Sequence, residues 1–301
     1  MLLAVAAYGL WGFAPIYWKL LRALPAAELL AHRVLSSLAV GLLLALVTRR
    51  WRELAITLRS RRRLLPIVAS SLLIGLNWLV FIQAVNTGHV LATSLGYFLN
   101  PLVNVLLGVA FLGERLTRGQ LVAVGLGAAG VLYWAIELGE APWIALTLAA
   151  SFGLYGLVRK LAAVGPLEGF TLEVLLLAPA AGWYLAHLAA QSALAAPQQD
   201  AGLHAVLAGA GVITAAPLLC FTAAARRLPL STLGFFQYLA PSLSFVIAVG
   251  LYHEPFGRGQ AIAFACVWLA LALFSLATRR AFGASGGSQD PPRGTLAPRR
   301  R

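Results

Sequence analysis

The sequence predicts an all-α polytopic membrane protein: ten transmembrane helices arranged as two inverted five-helix repeats. Three observations predict it. Of 301 residues, 60% are hydrophobic and only 11% are charged, whereas a soluble domain carries about 25% charged residues. Apolar runs recur about every 30 residues, and a spanning helix needs roughly 20 apolar residues at 1.5 Å rise. Short sequence blocks from the first half return in the second half.

The spans expected in order are 2–20, 27–48, 64–86, 89–112, 119–138, 142–162, 169–190, 203–225, 230–252 and 258–278. The first opens on MLLAVAAYGLWG without a basic n-region and runs unbroken to Lys19. It therefore reads as a span and not as a cleaved signal peptide. Between the second and third spans lies an Arg-rich loop, Arg49 to Arg63. The third and fourth spans are joined by the short polar hinge Asn86 to His89, a tight helical hairpin. Most other connectors are only a few residues long, so sequence neighbours pack antiparallel.

Lys and Arg alternate strongly between the two sides. With the N-terminus inside, all but four of the 23 fall on the inner side, leaving Lys19, Arg22, Arg33 and Arg258 outside. That bias predicts cytoplasmic termini. The Arg49 to Arg63 loop and the tail ending in Arg299 to Arg301 read as topology signals, with contact to anionic lipid as the alternative.

The repeat sets the domain boundaries. GERLTRGQ at 113–120 returns as HEPFGRGQ at 253–260, aligning Glu114 with Glu254, Arg118 with Arg258 and Gln120 with Gln260. Pro101 aligns with Pro241, SLGYF at 94–98 with TLGFF at 232–236, and GLWG at 9–12 with GLYG at 153–156. An odd number of spans per half reverses the second half in the membrane, the plan of many secondary transporters. The expected units are 1–140, 141–280 and a basic disordered tail, 281–301.

Such a plan puts a solute site at the midplane, beside bent or interrupted helices. The fourth and ninth spans qualify. Tyr97, Asn100 and Asn104 share one face of the fourth around Pro101, where a missing N–H and a ring clash bend a helix. Gln237, Pro241 and Ser244 share a face of the ninth, with Tyr238 beside them. These side chains either line a solute site or hold the bundle together by interhelical hydrogen bonds. Asn77 and Gln83, flanked by Trp78 and Phe81 in the third span, need polar partners in hydrocarbon. Trp11, Pro15 and Trp18 form an aromatic stripe on the first span, which serves either packing or a ligand wall. His32 and Arg33 enter the second span, where a fixed charge is costly and Arg33 can snorkel outward. Pro25 aligns with Pro166, and seven residues beyond each stand His32 and Glu173, so both halves place a titratable group at matching positions, the alternative reading being proton or anion handling. Lys19, beside Trp18, is an interfacial anchor or an attractor of anions. Gly119, Ala123 and Gly127, matched by Gly259 and Ala263, permit close helix approach inside one chain or in a dimer.

Several functions are excluded or unsupported. The net charge of +13 sits between apolar runs and in the tail, which argues against nucleic-acid binding. Asp200 and Asp290, the two aspartates, lie outside the spans, so no paired intramembrane aspartyl chemistry is available. Gly283, Ser285 and Gly287 have GxSxG spacing, but in a Gly/Ser tail instead of a strand-to-helix turn. Cys220 and Cys266 fall in apolar runs and read as small hydrophobes. No metal, cofactor or enzymatic activity is expected, and no ATP-binding motif appears.

YGLWGFAPIYWKLL at 8–21, ELLAHR at 28–33, NWLVFIQAVNTGHVLATSLGYFLNPLVNVLLG at 77–108, SFGLYGLVRK at 151–160 and ARRLPLSTLGFFQYLAP at 225–241 resemble the RarD-type permeases, in the EamA branch of the drug/metabolite transporter superfamily. The resemblance runs nearly end to end. It implies ten helices in two inverted halves, a plasma-membrane location, and export or exchange of small solutes. Two positions depart from the pattern: Ala92, where an acidic or amide residue is expected, and His253, where a glycine is expected before Glu254. The function expected is a permease moving a small organic solute by alternating access, as a monomer or homodimer in the bilayer. The alternatives are a channel-like or lipid-handling protein and a non-transporting scaffold.

Overall fold

The computed structural model describes residues 1–21, 24–87, 89–138, 143–195, 201–251 and 257–286. Twelve helices and no strand occur among them. The first three are α1 (Leu2–Leu20), α2 (Ala26–Val47) and α3 (Trp51–Arg59). The hairpin follows as α4 (Arg61–Asn86) and α5 (Val90–Leu112), then α6 (Arg118–Leu138). The second half holds α7 (Trp143–Leu161), α8 (Pro166–Ala190), α9 (Ala201–Ala225), α10 (Leu230–Gln237), α11 (Leu239–Gly250) and α12 (Arg258–Gly286). Among the described residues, α2 and α4 through α9 contain seven stretches long and apolar enough to cross a membrane. Large apolar side chains point outward from them, such as Leu43, Leu72, Ile136 and Trp183, as a lipid-facing surface requires.

Each expected apolar run coincides with a helix, but two features differ from expectation. The Arg49 to Arg63 loop contains a helix, α3, whose Leu54 and Thr57 are buried while Trp51, Ile56 and Leu58 are exposed. Leu54 packs with Ala45, Ile67, Val164 and Leu172, so this short segment closes one end of the bundle. The run 230–252 is divided at Tyr238 into α10 and α11. Pro241, in the first turn of α11, has no N–H to return to the Gln237 carbonyl four residues back, so the helix breaks there. α5, by contrast, continues as a helix through Pro101.

The repeated GERLTRGQ block has a local physical meaning. Gly113 takes the left-handed conformation (φ 63°) that ends α5, and only glycine adopts it without strain. Thr117 and Gln120 then form a reciprocal cap: Thr117 N–H donates to Gln120 Oε1 at 2.9 Å and Gln120 N–H to Thr117 Oγ1 at 3.3 Å, which starts α6. Between them Glu114 leaves its own helix. Its Oε1 accepts the Leu230 N–H at 2.5 Å, and its Oε2 accepts the Ser231 N–H at 2.9 Å. A carboxylate at the N-terminus of α10 satisfies orphan donors and favours the helix dipole. Lys160 Nζ donates to the Ala225 and Leu228 carbonyls of the same connection.

Two apolar cores hold the helices. One gathers Tyr8, Phe152, Tyr155, Phe170 and Phe221, and the other Phe98, Trp134, Phe235, Tyr238, Phe264 and Phe274. α6 and α12 run antiparallel in close contact: a Cβ on Gly119 would lie 2.9 Å from Ala277, and one on Gly130 2.5 Å from Cys266. The small-residue stripe of α6 is thus taken up inside the chain. α2 packs on α8 and α9, α4 on α7, α1 on α9 and α11, and α5 on α7 and α10.

Candidate functional site

A charged side chain in a spanning helix must find a partner or reach water, and Arg33 finds partners inward. Its Nε donates to Thr214 Oγ1 at 2.8 Å, near the middle of α9. The guanidinium carbon lies 4.5 Å from the Trp78 ring centroid and 5.1 Å from that of Trp18, within cation–π range. The snorkelling alternative therefore does not hold. Arg33 can point inward because α2 and α9 cross closely: a Cβ on Gly211 would lie 2.4 Å from the Ser36 carbonyl oxygen. Tyr97 on α5 stands within electrostatic reach of Arg33 and packs against Phe81 at 6.0 Å between ring centroids. Tyr97 nevertheless keeps 38% exposure. Trp18, Arg33, Trp78, Tyr97 and Thr214 come from five different helices, α1, α2, α4, α5 and α9.

The polar face of α5 continues from there. Asn100 and Asn104 are buried, and three and seven residues at 1.5 Å rise carry them about 4 and about 10 Å beyond Tyr97. Asn104 Nδ2 donates to Gln237 Oε1 on α10 at 3.0 Å. Asn100 Oδ1 and Asn104 Oδ1 have no hydrogen-bond partner among the described residues. A buried carbonyl oxygen of this kind calls for a donor. Gly234 lets the helices meet here, since a Cβ on it would lie 2.9 Å from both Pro101 O and Asn104 Cβ. Along α5 these groups follow one line, here called the lane, with a cation and aromatic rings near Tyr97 and the carboxamides near Gln237, beside the break between α10 and α11.

Other expected residues lie elsewhere. Asn77 spends its amide between α4 and α7, with Nδ2 donating to Leu148 O and Ser151 Oγ, both at 3.0 Å. Gln83 is exposed near the end of α4, and Lys19 is exposed at the end of α1. Trp11 packs on Tyr8, Phe152 and Phe221 with centroids 5.6 to 5.8 Å apart, so the aromatic stripe divides between core and lane. Tyr238 belongs to the second core, its hydroxyl donating to Phe98 O at 3.4 Å. The hinge closes through His89 N–H donating to Ala84 O at 2.8 Å, and Ala92 packs with Ile144 and Leu148. The Ser244 and Pro15 side chains, His253, Glu254 and the tail beyond Gly286 lie outside the described residues.

His32 and Glu173 do not come together. His32 Nε2 is 3.8 Å from Glu28 Oε1, and Glu28 accepts the Ala195 N–H with both oxygens at 3.1 and 2.9 Å. His32 also borders a cleft of ≈ 350 Å³ with Ser36, Leu194 and His204. Glu173 lies in a buried network with Arg159 Nε at 3.3 Å, Ser70 Oγ at 2.5 Å and Tyr155 OH at 3.2 Å. Arg159, two residues before the end of α7, carries no sequence signal that separates it from a topology charge. At that end, Arg50, Glu53, Arg63, Glu168 and Arg226 line a cleft of ≈ 690 Å³.

The chain matches the EamA-like transporter family over residues 1–135. It is 48% identical over 274 residues to "Protein RarD" of Salmonella typhi, covering 91% of this chain and 93% of that protein. It is also 48% identical over 276 residues to an "Uncharacterized transporter" of Vibrio cholerae, covering 92% of this chain and 91% of that one. A solved crystal structure 22% identical in sequence shares the fold at a TM-score of 0.70, over 93% of this chain and 97% of the other.

Proposed function

Because the chain belongs to the EamA-like transporter family and is a RarD-type membrane transporter, we propose that it is a plasma-membrane permease moving a small organic solute by alternating access. The solute binds in the lane formed by Arg33, Tyr97, Asn100, Asn104 and Gln237. One observation carries this reading: a cation drawn inward to mid-helix on α9, at the head of a lane that ends at an interrupted helix. Interrupted helices at mid-membrane are tolerated where they border a cavity.

The ten spans are α1, α2, α4 to α9, α10 with α11, and α12, divided into repeats 1–140 and 141–280. Helix packing supports the inverted arrangement. Under exchange of the halves α6 pairs with α12 and α2 with α8, while α1 against α9 corresponds to α7 against α4. These relations fit a two-fold exchange of the halves, and the antiparallel run of α6 along α12 favours an axis across the helices. Both termini are cytoplasmic in this reading, and the solute is moved without being transformed.

Counterflow in proteoliposomes tests it. Purified protein preloaded with a broad solute panel is expected to show saturable uptake of a labelled member, accelerated by the same solute inside. Uptake that neither saturates nor responds to internal solute overturns alternating access in favour of a channel.

A further inference from the structure

Arg33 bears a charge that nothing described around it neutralises. Among the described residues, the ion pairs join His32 to Glu28, Arg50 to Glu168, Arg63 to Glu53 and Arg159 to Glu173, and none involves Arg33. A guanidinium has five N–H donors in one plane. Thr214 accepts one of them, at Nε. The indoles of Trp78 and Trp18 interact with the face of the cation and accept none of the in-plane hydrogens. The Nη atoms are not enclosed like those of Arg159, whose Nη1 is buried without a partner. Thr214 therefore holds the fork on one edge, and its Nη edge meets no acceptor among the described residues.

Resting on the permease reading, we infer that the transported solute is a small organic monoanion, a carboxylate with an apolar or aromatic body. Its carboxylate pairs with the Arg33 fork, whose geometry matches two carboxylate oxygens. Its body lies against Trp18, Trp78, Phe81 and Tyr97. One uncompensated cation matches one negative charge, and the pair crosses the low-dielectric region neutral. The carboxamides of Asn100, Asn104 and Gln237, uncharged throughout, discriminate polar substituents on that body.

The test uses the full-length protein in detergent and matched probes: phenylacetate, indole-3-acetate and 4-methylpentanoate, each beside its primary amide. Thermal stabilisation reads binding without transport. Each carboxylate is expected to bind at least tenfold more tightly than its amide. Arg33→Gln brings that ratio to about one. Arg33→Lys, which keeps the charge and loses the fork, retains part of the preference. Thr214→Val keeps the charge and the preference but weakens binding of the carboxylates, because the fork is no longer oriented. Wild-type protein that binds no carboxylate more tightly than its amide overturns the inference, as does an Arg33→Gln protein that keeps the full preference. A carboxylate preference in a protein without counterflow overturns the permease reading alone, and counterflow confined to amides overturns the anion inference alone.

Discussion

Asn104 of α5 donates a hydrogen bond to Gln237 of α10 at 3.0 Å, across a crossing where both side chains are buried. The bond joins the continuous proline-bearing helix to the interrupted one. It makes these two residues structural glue as well as lining of the proposed solute site, whereas Asn100 presents an Oδ1 without a partner among the described residues.

The two roles separate by mutation. Asn104→Ala and Gln237→Ala are each expected to lower the melting temperature, and the double mutant to lose less than the summed effects. The coupling should be about 0.6 kcal/mol and at most about 1.7 kcal/mol. Asn100→Ala should leave stability near wild type and weaken solute affinity several-fold, on the order of 1 kcal/mol. Melting temperature and counterflow half-saturation on the same preparations check this. An Asn100→Ala protein of normal affinity removes that residue from the site.

The buried Arg159–Glu173 pair responds differently to single and to double replacement. Arg159→Met leaves Glu173 without its cation among Ser70 and Tyr155, and removing one partner of a buried pair costs about 3–5 kcal/mol. Glu173→Met strands Arg159 at a similar cost. The double replacement by Met, which buries no charge, should recover most of the loss. Thermal denaturation of the three variants decides it, and additive losses would mean that the two charges do not act as a pair.

Gly211→Ala places a methyl 2.4 Å from the Ser36 carbonyl oxygen, which is backbone and cannot rotate away. Overpacking of this kind costs about 1–3 kcal/mol. Separation of α2 from α9 also draws Thr214 away from Arg33, so affinity should fall with stability. Gly125→Ala, with open space around the added carbon, is the control and should change neither. Equal behaviour of the two variants in melting and counterflow would refute the close crossing.

Membrane orientation is read by single cysteines at Arg115 and Arg258, both exposed and away from the lane. Membrane-impermeant maleimide should label 258 in intact cells and 115 only after permeabilisation. Labelling of both from one side would falsify the inverted repeat.

The amino-acid sequence by itself determined where helices form. Lipid offers no hydrogen bonds to the backbone, so an apolar run of about 20 residues has few alternatives to a helix, and run length and flanking charge are visible in one dimension. The repeated GERLTRGQ block was legible for the same reason, as were the polar face of α5 and the weak point at Pro241. α3 was not legible: its arginines mask an amphipathic pattern that pays off only when Leu54 meets Ile67 and Leu172. Tertiary structure decided which polar residues meet. Spacing assigns Asn77, Asn100, Asn104 and Arg33 to helix faces, but the opposing face comes from residues 71 to 181 positions away in the chain. Only packing of α4 on α7 consumed the Asn77 amide. Only the crossing of α2 on α9 turned Arg33 inward to Thr214, whereas its neighbour His32 meets Glu28 four residues back on the same helix.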